Sequence, residues 1–90
     1  MKAYNFVGIK YGVRSIRTVW GQRIAASRRA VNMTQVQLAG ALGVTQQLVS
    51  KWERGLIAPR DDRRIKLARI LGVRPDDLFA YEPNGGEEAA

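Results

Sequence analysis

The sequence predicts an all-α fold, a compact bundle of five helices behind a short N-terminal strand-like arm. Three observations predict it. Between Thr18 and Tyr81 the apolar residues recur at spacings of three and four, which places them on one face of each helix. The periodic runs are punctuated by Gly43, Gly55 and Gly72, where a left-handed residue closes a helix. The chain has 90 residues and neither cysteine nor histidine, so one core must be closed by helix packing, without disulfides or a Cys/His zinc site.

Residues 1–17 are expected to form an N-terminal arm, strand-like or flexible. Asn5, Val7, Ile9, Tyr11 and Val13 alternate with Tyr4, Phe6, Gly8, Lys10 and Gly12, a period of two that suggests a strand. A lone strand has unpaired edges and needs a partner. Pairing of Tyr4–Val13 with the same segment of a second copy would supply one. The helical body spans residues 18–81. Its first helix is expected from Thr18 to Val31, with Trp20, Ile24, Arg28 and Val31 on one stripe. Gly21 weakens its first turn, and a charge at Arg28 on an apolar stripe calls for a partner.

The second and third helices are short and closely spaced. Gln35 to Leu42 carries Val36, Leu38, Ala39 and Leu42 on its apolar face, and Gln46 to Arg54 carries Leu48, Val49 and Trp52. Thr34 caps the former, with Gln37 completing a capping box, and Thr45 caps the latter. Helix, glycine turn, helix is the helix-turn-helix pattern. Opposite Val49 and Trp52 lie Gln46, Gln47, Ser50, Lys51 and Arg54. Glutamine pairs bidentately with adenine and lysine donates to guanine. An ordinary solvated face would carry more glutamate, and Glu53 is the one acid here.

The fourth helix is expected from Arg60 to Leu71, with Ile65, Leu67, Ala68 and Leu71 inward and Asp61 and Asp62 favoured by the dipole in its first turn. No third convergent ligand accompanies the two aspartates, so no metal site is expected. Pro75 opens a last helix closed by Leu78, Phe79 and Tyr81. Residues 82–90, EPNGGEEAA, read as an acidic disordered tail.

Net charge is +7 but unevenly spread. Residues 1–74 hold all fifteen Lys and Arg against Glu53, Asp61 and Asp62, a net +12, and residues 75–90 hold five acids. A basic body favours a polyanion. Without histidine, cysteine or clustered carboxylates, no enzyme activity and no cofactor are expected. No apolar run matches a membrane span, and no signal peptide is seen, so a cytoplasmic protein is expected.

From Trp20 to Tyr81 the chain resembles the lambda-repressor/Cro-like helix-turn-helix family, often called the Xre family. The resemblance rests on Thr34-Gln35, Leu38-Ala39, Leu42-Gly43-Val44-Thr45, Val49-Ser50-Lys51-Trp52-Glu53-Arg54-Gly55, Pro59, Leu67-Ala68, Leu71-Gly72-Val73 and Asp77-Leu78. It implies a five-helix bundle whose third helix enters the major groove of double-stranded DNA. By position, Gln46, Gln47 and Lys51 would reach base edges, and Thr34 and Gln35 would touch phosphate. Thr45, Ser50, Arg54, Arg60 and Arg63 are further phosphate candidates. Glu53 and Arg28 match a pair that joins the third helix to the first in some phage repressors. Where the family often has leucines, this chain has Asp61 and Arg64. Arg64 is therefore grouped with Arg60 and Arg63 as an extension of the phosphate-binding surface.

The expected function is a sequence-specific DNA-binding regulator, a repressor acting as a dimer on a palindromic operator. The dimer would form through the arm or through Leu78, Phe79 and Tyr81. The alternative is an antitoxin or other protein-interaction module that also binds its own promoter.

Overall fold

The computed structural model describes residues 15–80, and over that span the chain is five helices without a strand. They are α1 (Ile16–Ala30), α2 (Gln35–Leu42), α3 (Gln46–Glu53), α4 (Asp61–Leu71) and α5 (Pro75–Phe79). α3 packs against both α1 and α2, α4 against α2, and α5 against α4 and α1. The arm at Tyr4–Val13 and the acidic tail lie outside the described residues.

Helix α1 begins two residues before the expected start. Ser15 caps it, its hydroxyl accepting from the Thr18 amide at 3.1 Å. A boundary at residues 17 and 18 therefore cuts through the first turn. Gly21, whose low propensity weakens the first turn, serves close packing. A Cβ there would lie 2.3 Å from the Trp52 carbonyl oxygen and 2.7 Å from that of Glu53. Gly55 does the same from the other side: at φ 75° it needs glycine, and a Cβ would come within 2.8 Å of Thr18 Cα. Two glycines thus let α1 cross the end of α3 at backbone contact.

The other ends follow the sequence closely. Thr34 accepts from the Gln37 amide at 3.0 Å while Gln37 Oε1 accepts from the Thr34 amide at 2.9 Å. Thr45 accepts from the Leu48 amide at 3.1 Å. At the head of α5 the Arg74 amide donates to Asp77 Oδ2 at 2.8 Å and the Arg74 guanidinium to Oδ1 at 3.2 Å. These bonds, the amide's first, hold the Asp77 carboxyl below the usual aspartate range. Their contribution is present above the unfolded-chain pKa and fades as pH falls through the lowered one.

The core is Ile24, Leu38, Ala39, Val49, Trp52, Leu67, Ala68, Leu71 and Leu78. Three expected inward residues are instead exposed: Val31, Val36 and Ile65, at 44%, 66% and 49%. Their helices each begin or end the inward stripe on a polar residue. In α1 the stripe stops at Arg28, and Val31 is the C-cap. In α2 the inward positions are Gln35, Leu38, Ala39 and Leu42, which turns Val36 outward. In α4 they are Arg64, Leu67, Ala68 and Leu71, which turns Ile65 outward.

Arg64 is thus an inward residue and not part of an outer phosphate surface. Its guanidinium lies over the Trp20 ring, 4.5 Å from the centroid, and 5.8 Å from that of Phe79. Trp20 and Phe79 meet edge to face at 5.2 Å. Nε of Arg64 donates to the Pro59 carbonyl at 2.9 Å, and Nη1 lies 3.3 Å from Asp61. Cation–π stacking and alkyl packing do here what leucine does by volume. Leu78 is fully buried, so it is not available as a dimer face, and Phe79 is half-buried against Trp20. Tyr81 lies outside the described residues.

Gly21→Ala is expected to destabilise the protein by more than the ~1–3 kcal/mol typical of overpacking, because the obstructing atoms are backbone. Gly40→Ala, where a Cβ meets nothing within 4 Å, should be stabilising by up to ~1 kcal/mol. Urea denaturation of both variants checks the pair, and equal midpoints would contradict the packing argument.

Candidate nucleic-acid interface

The outer face of α3 is presented by the same packing that buries its inner face. Val49 and Trp52 are buried, and Leu48 is half-buried against the core. The 3.6-residue turn then leaves Gln46, Gln47, Lys51 and the following Arg54 exposed, with Ser50 half-buried at the margin. Arg54 Nε donates to Ser50 Oγ at 3.2 Å, so this guanidinium is drawn back along the helix. Thr45 spends its acceptor on the Leu48 amide and keeps its hydroxyl proton for an outside acceptor.

At the head of α2, Thr34 likewise retains its hydroxyl proton. The amides of Gln35 and Val36 lack intrahelical acceptors and suit an anion. Arg60 is exposed at the N-cap of α4, and Arg63 is half-buried one turn on. These two sit on an element separate from α3.

Beneath the face lies a continuous chain of hydrogen bonds. Arg28 Nε donates to Glu53 Oε2 at 2.6 Å, and Nη2 donates to Oε1 at 3.0 Å. Nη1 donates to the Met33 carbonyl at 2.8 Å, which ties down the turn into α2. The pair is nearly enclosed, with side chains 10% and 6% exposed. The hydrogen bond to Glu53 raises the Arg28 pKa, with burial opposing and the charge of Glu53 adding. Arg28 therefore remains a cation at any pH at which the protein is folded. From Glu53 the chain runs outward. Gln35 Nε2 donates to Glu53 Oε1 at 2.9 Å, and Gln46 Nε2 donates to Gln35 Oε1 at 2.7 Å.

The structure thus joins Arg28, Glu53, Gln35 and Gln46, which the sequence offered as two unrelated groups. The inward turn of Gln35 had a signal: it stands three and four residues before Leu38 and Ala39, on their stripe. One further residue went unassigned in the sequence: Arg23 donates to the carbonyls of Leu78 and Ala80, fastening the end of α5 to α1. Trp20, on the stripe of α1, has its Nε1 buried without an acceptor among the described residues.

The fold is shared with proteins already known. The family model described as "Helix-turn-helix" matches residues 24–78, more than half of the chain. The chain belongs to the lambda-repressor/Cro-like helix-turn-helix family of DNA-binding domains. An HTH-type transcriptional regulator of Methanocaldococcus jannaschii is 39% identical over 51 residues, covering 57% of this chain and 77% of that protein. Repressor protein C2 of Salmonella phage P22 is 33% identical over 59 residues, covering 66% of this chain and 27% of the repressor. This family member therefore spans about a quarter of that relative's length. The crystal structure of the P22 c2 repressor in complex with a synthetic operator superposes with a TM-score of 0.67 at 30% identity, over 71% of this chain and 97% of that one. The restriction-modification controller protein C.AhdI of Aeromonas hydrophila gives 0.66 at 32% identity, over 70% and 96%.

Glu53→Ala should destabilise the fold by about 3–5 kcal/mol, since Arg28 stays charged and enclosed after losing two acceptors. The readout is the free energy of unfolding from urea titration. A loss below ~1 kcal/mol would mean that water screens the pair.

Proposed function

We propose that the protein is a sequence-specific DNA-binding transcriptional regulator, a repressor that occupies a palindromic operator as a homodimer. The observation that carries this is the exposed face of α3. Gln46, Gln47 and Lys51 stand exposed on a helix whose other side is locked into the core, and the one acid of that helix, Glu53, is paired with Arg28. In this proposal α3 lies in the major groove. Gln46 and Gln47 read adenine by paired donor and acceptor, and Lys51 donates to guanine. Thr34, the Gln35 amide, Thr45, Ser50 and Arg54 contact the flanking phosphates, with Arg60 and Arg63 widening the contact. The operator complex solved for the P22 c2 repressor, similar over most of the described residues, supports this mode.

Dimerisation follows from the limited reach of one short helix, which spans only a few base pairs. Two copies related by a two-fold axis would read half-sites ~34 Å apart or a multiple of it. In this proposal the protein represses by occupancy, excluding polymerase from an overlapping promoter. It would work in the cytoplasm, where its DNA is.

Selection of bound sites from random duplexes tests this directly, the expected product being an inverted repeat. Gln46→Ala and Gln47→Ala should each cost about 1–3 kcal/mol of discrimination at one base position. Full wild-type selectivity in both variants would refute the assignment. Affinity should also fall steeply between low and moderate salt, as displaced counterions require. A salt-independent affinity would count against phosphate contact.

A further inference from the structure

We propose that Glu53 is a positioning residue for base recognition: acting through Gln35, its carboxylate fixes which way round Gln46 presents its amide. The inference rests on the proposed reading of a base by Gln46. It follows from donor and acceptor counting along the hydrogen-bond chain, which runs from the enclosed ion pair to the exposed Gln46.

Glu53 is held between two donors of an arginine that never loses its proton, at 2.6 and 3.0 Å. A carboxylate in that setting has acceptors only. The group of Gln35 that meets it at 2.9 Å is therefore the NH2, and Gln35 has its carbonyl oxygen left for Gln46. That oxygen only accepts, so Gln46 must offer it an N–H, which it does at 2.7 Å. Gln46 is left with its own Oε1 and its second N–H. Reversing Gln46 would set its carbonyl against that of Gln35. Reversing both would set the Gln35 carbonyl against the Glu53 carboxylate. Either places two acceptors face to face and leaves both unpaired, at the exposed edge of the network in the first case and at the partly buried Gln35–Glu53 contact in the second.

An unconstrained glutamine turns over about its last torsion and offers donor and acceptor in either order. The four base pairs differ in the major groove by that order: adenine shows an acceptor at N7 beside a donor at N6, guanine two acceptors. A glutamine with one fixed polarity therefore discriminates better than a free one. Gln47 supplies the internal comparison, for it is exposed and has no hydrogen-bond partner among the described residues. The ion pair that joins α1 to α3 thus reaches the recognition surface as hydrogen-bond direction.

The test is a competition measurement of affinity for all four base pairs at each operator position, made on the full chain. Gln46→Ala identifies the position that Gln46 reads. Glu53→Gln, which can offer an NH2 to Gln35, should flatten or reverse the preference at that position by about tenfold. Gln35→Met, which leaves the ion pair whole, should flatten it similarly and carries the test if Glu53→Gln does not fold. Preferences at positions read by Gln47 and Lys51 should stay within about twofold of wild type, whereas a purely structural role would weaken all sequences alike. Unchanged preference at the Gln46 position in both variants overturns the proposal while leaving the DNA-reading function intact. A wild-type protein without any base preference, or a preference untouched by Gln46→Ala, overturns the reading on which the proposal rests.

Discussion

Arg28 and Glu53 meet where α1, α2 and α3 converge, and the placement of α3 depends on that contact. Replacing an enclosed ion pair by apolar residues is often neutral, so its worth is not in net stability. Its worth is in what a bidentate pair demands. Arg28 must stand opposite Glu53 within hydrogen-bond distance on two atoms, and its third nitrogen must reach the Met33 carbonyl. Those three bonds fix the azimuth of α3 about its axis relative to α1 and to the turn that starts α2. The two glycines permit the approach: any Cβ at position 21 would collide with the backbone of residues 52 and 53.

The same arrangement explains why polar residues head the inward stripes. Gln35 occupies the first inward place of α2 and Arg64 that of α4. Each is enclosed on the core side and reaches a partner there, Glu53 for one and the Trp20 ring for the other. At the margin of a small core, a long amphipathic side chain covers apolar area with its stem and satisfies a polar neighbour with its head. The exposed Val36 and Ile65 are the complement of this choice, since the stripe could not take both neighbours.

Most of the architecture was legible in the sequence. Helix number, the caps at Thr34 and Thr45 and the glycine stops are local signals, each with a physical reason within four residues. The outer face of α3 followed from periodicity alone. What could not be read depends on contacts distant in sequence. Apolar pattern assigned Val36 and Ile65 to the core because it has no rule for a polar residue at an inward position. Gly21 looked like a weak helix start because its partner is more than thirty residues away. The Arg28–Glu53 pairing came from family resemblance, with a charge on an apolar stripe as the only local hint. The links through Gln35 to Gln46 needed three helices in place at once.

A double-mutant cycle on Arg28 and Glu53 bears most directly on the central claim, that this pair sets the helix arrangement. Unfolding free energies would be measured for Arg28→Met, Glu53→Met and the double variant. Strong non-additivity is expected: each single change leaves an enclosed charge unpaired, while the double change removes both charges and costs less than either. Costs that simply add, or singles within about 0.5 kcal/mol of the parent, would contradict it.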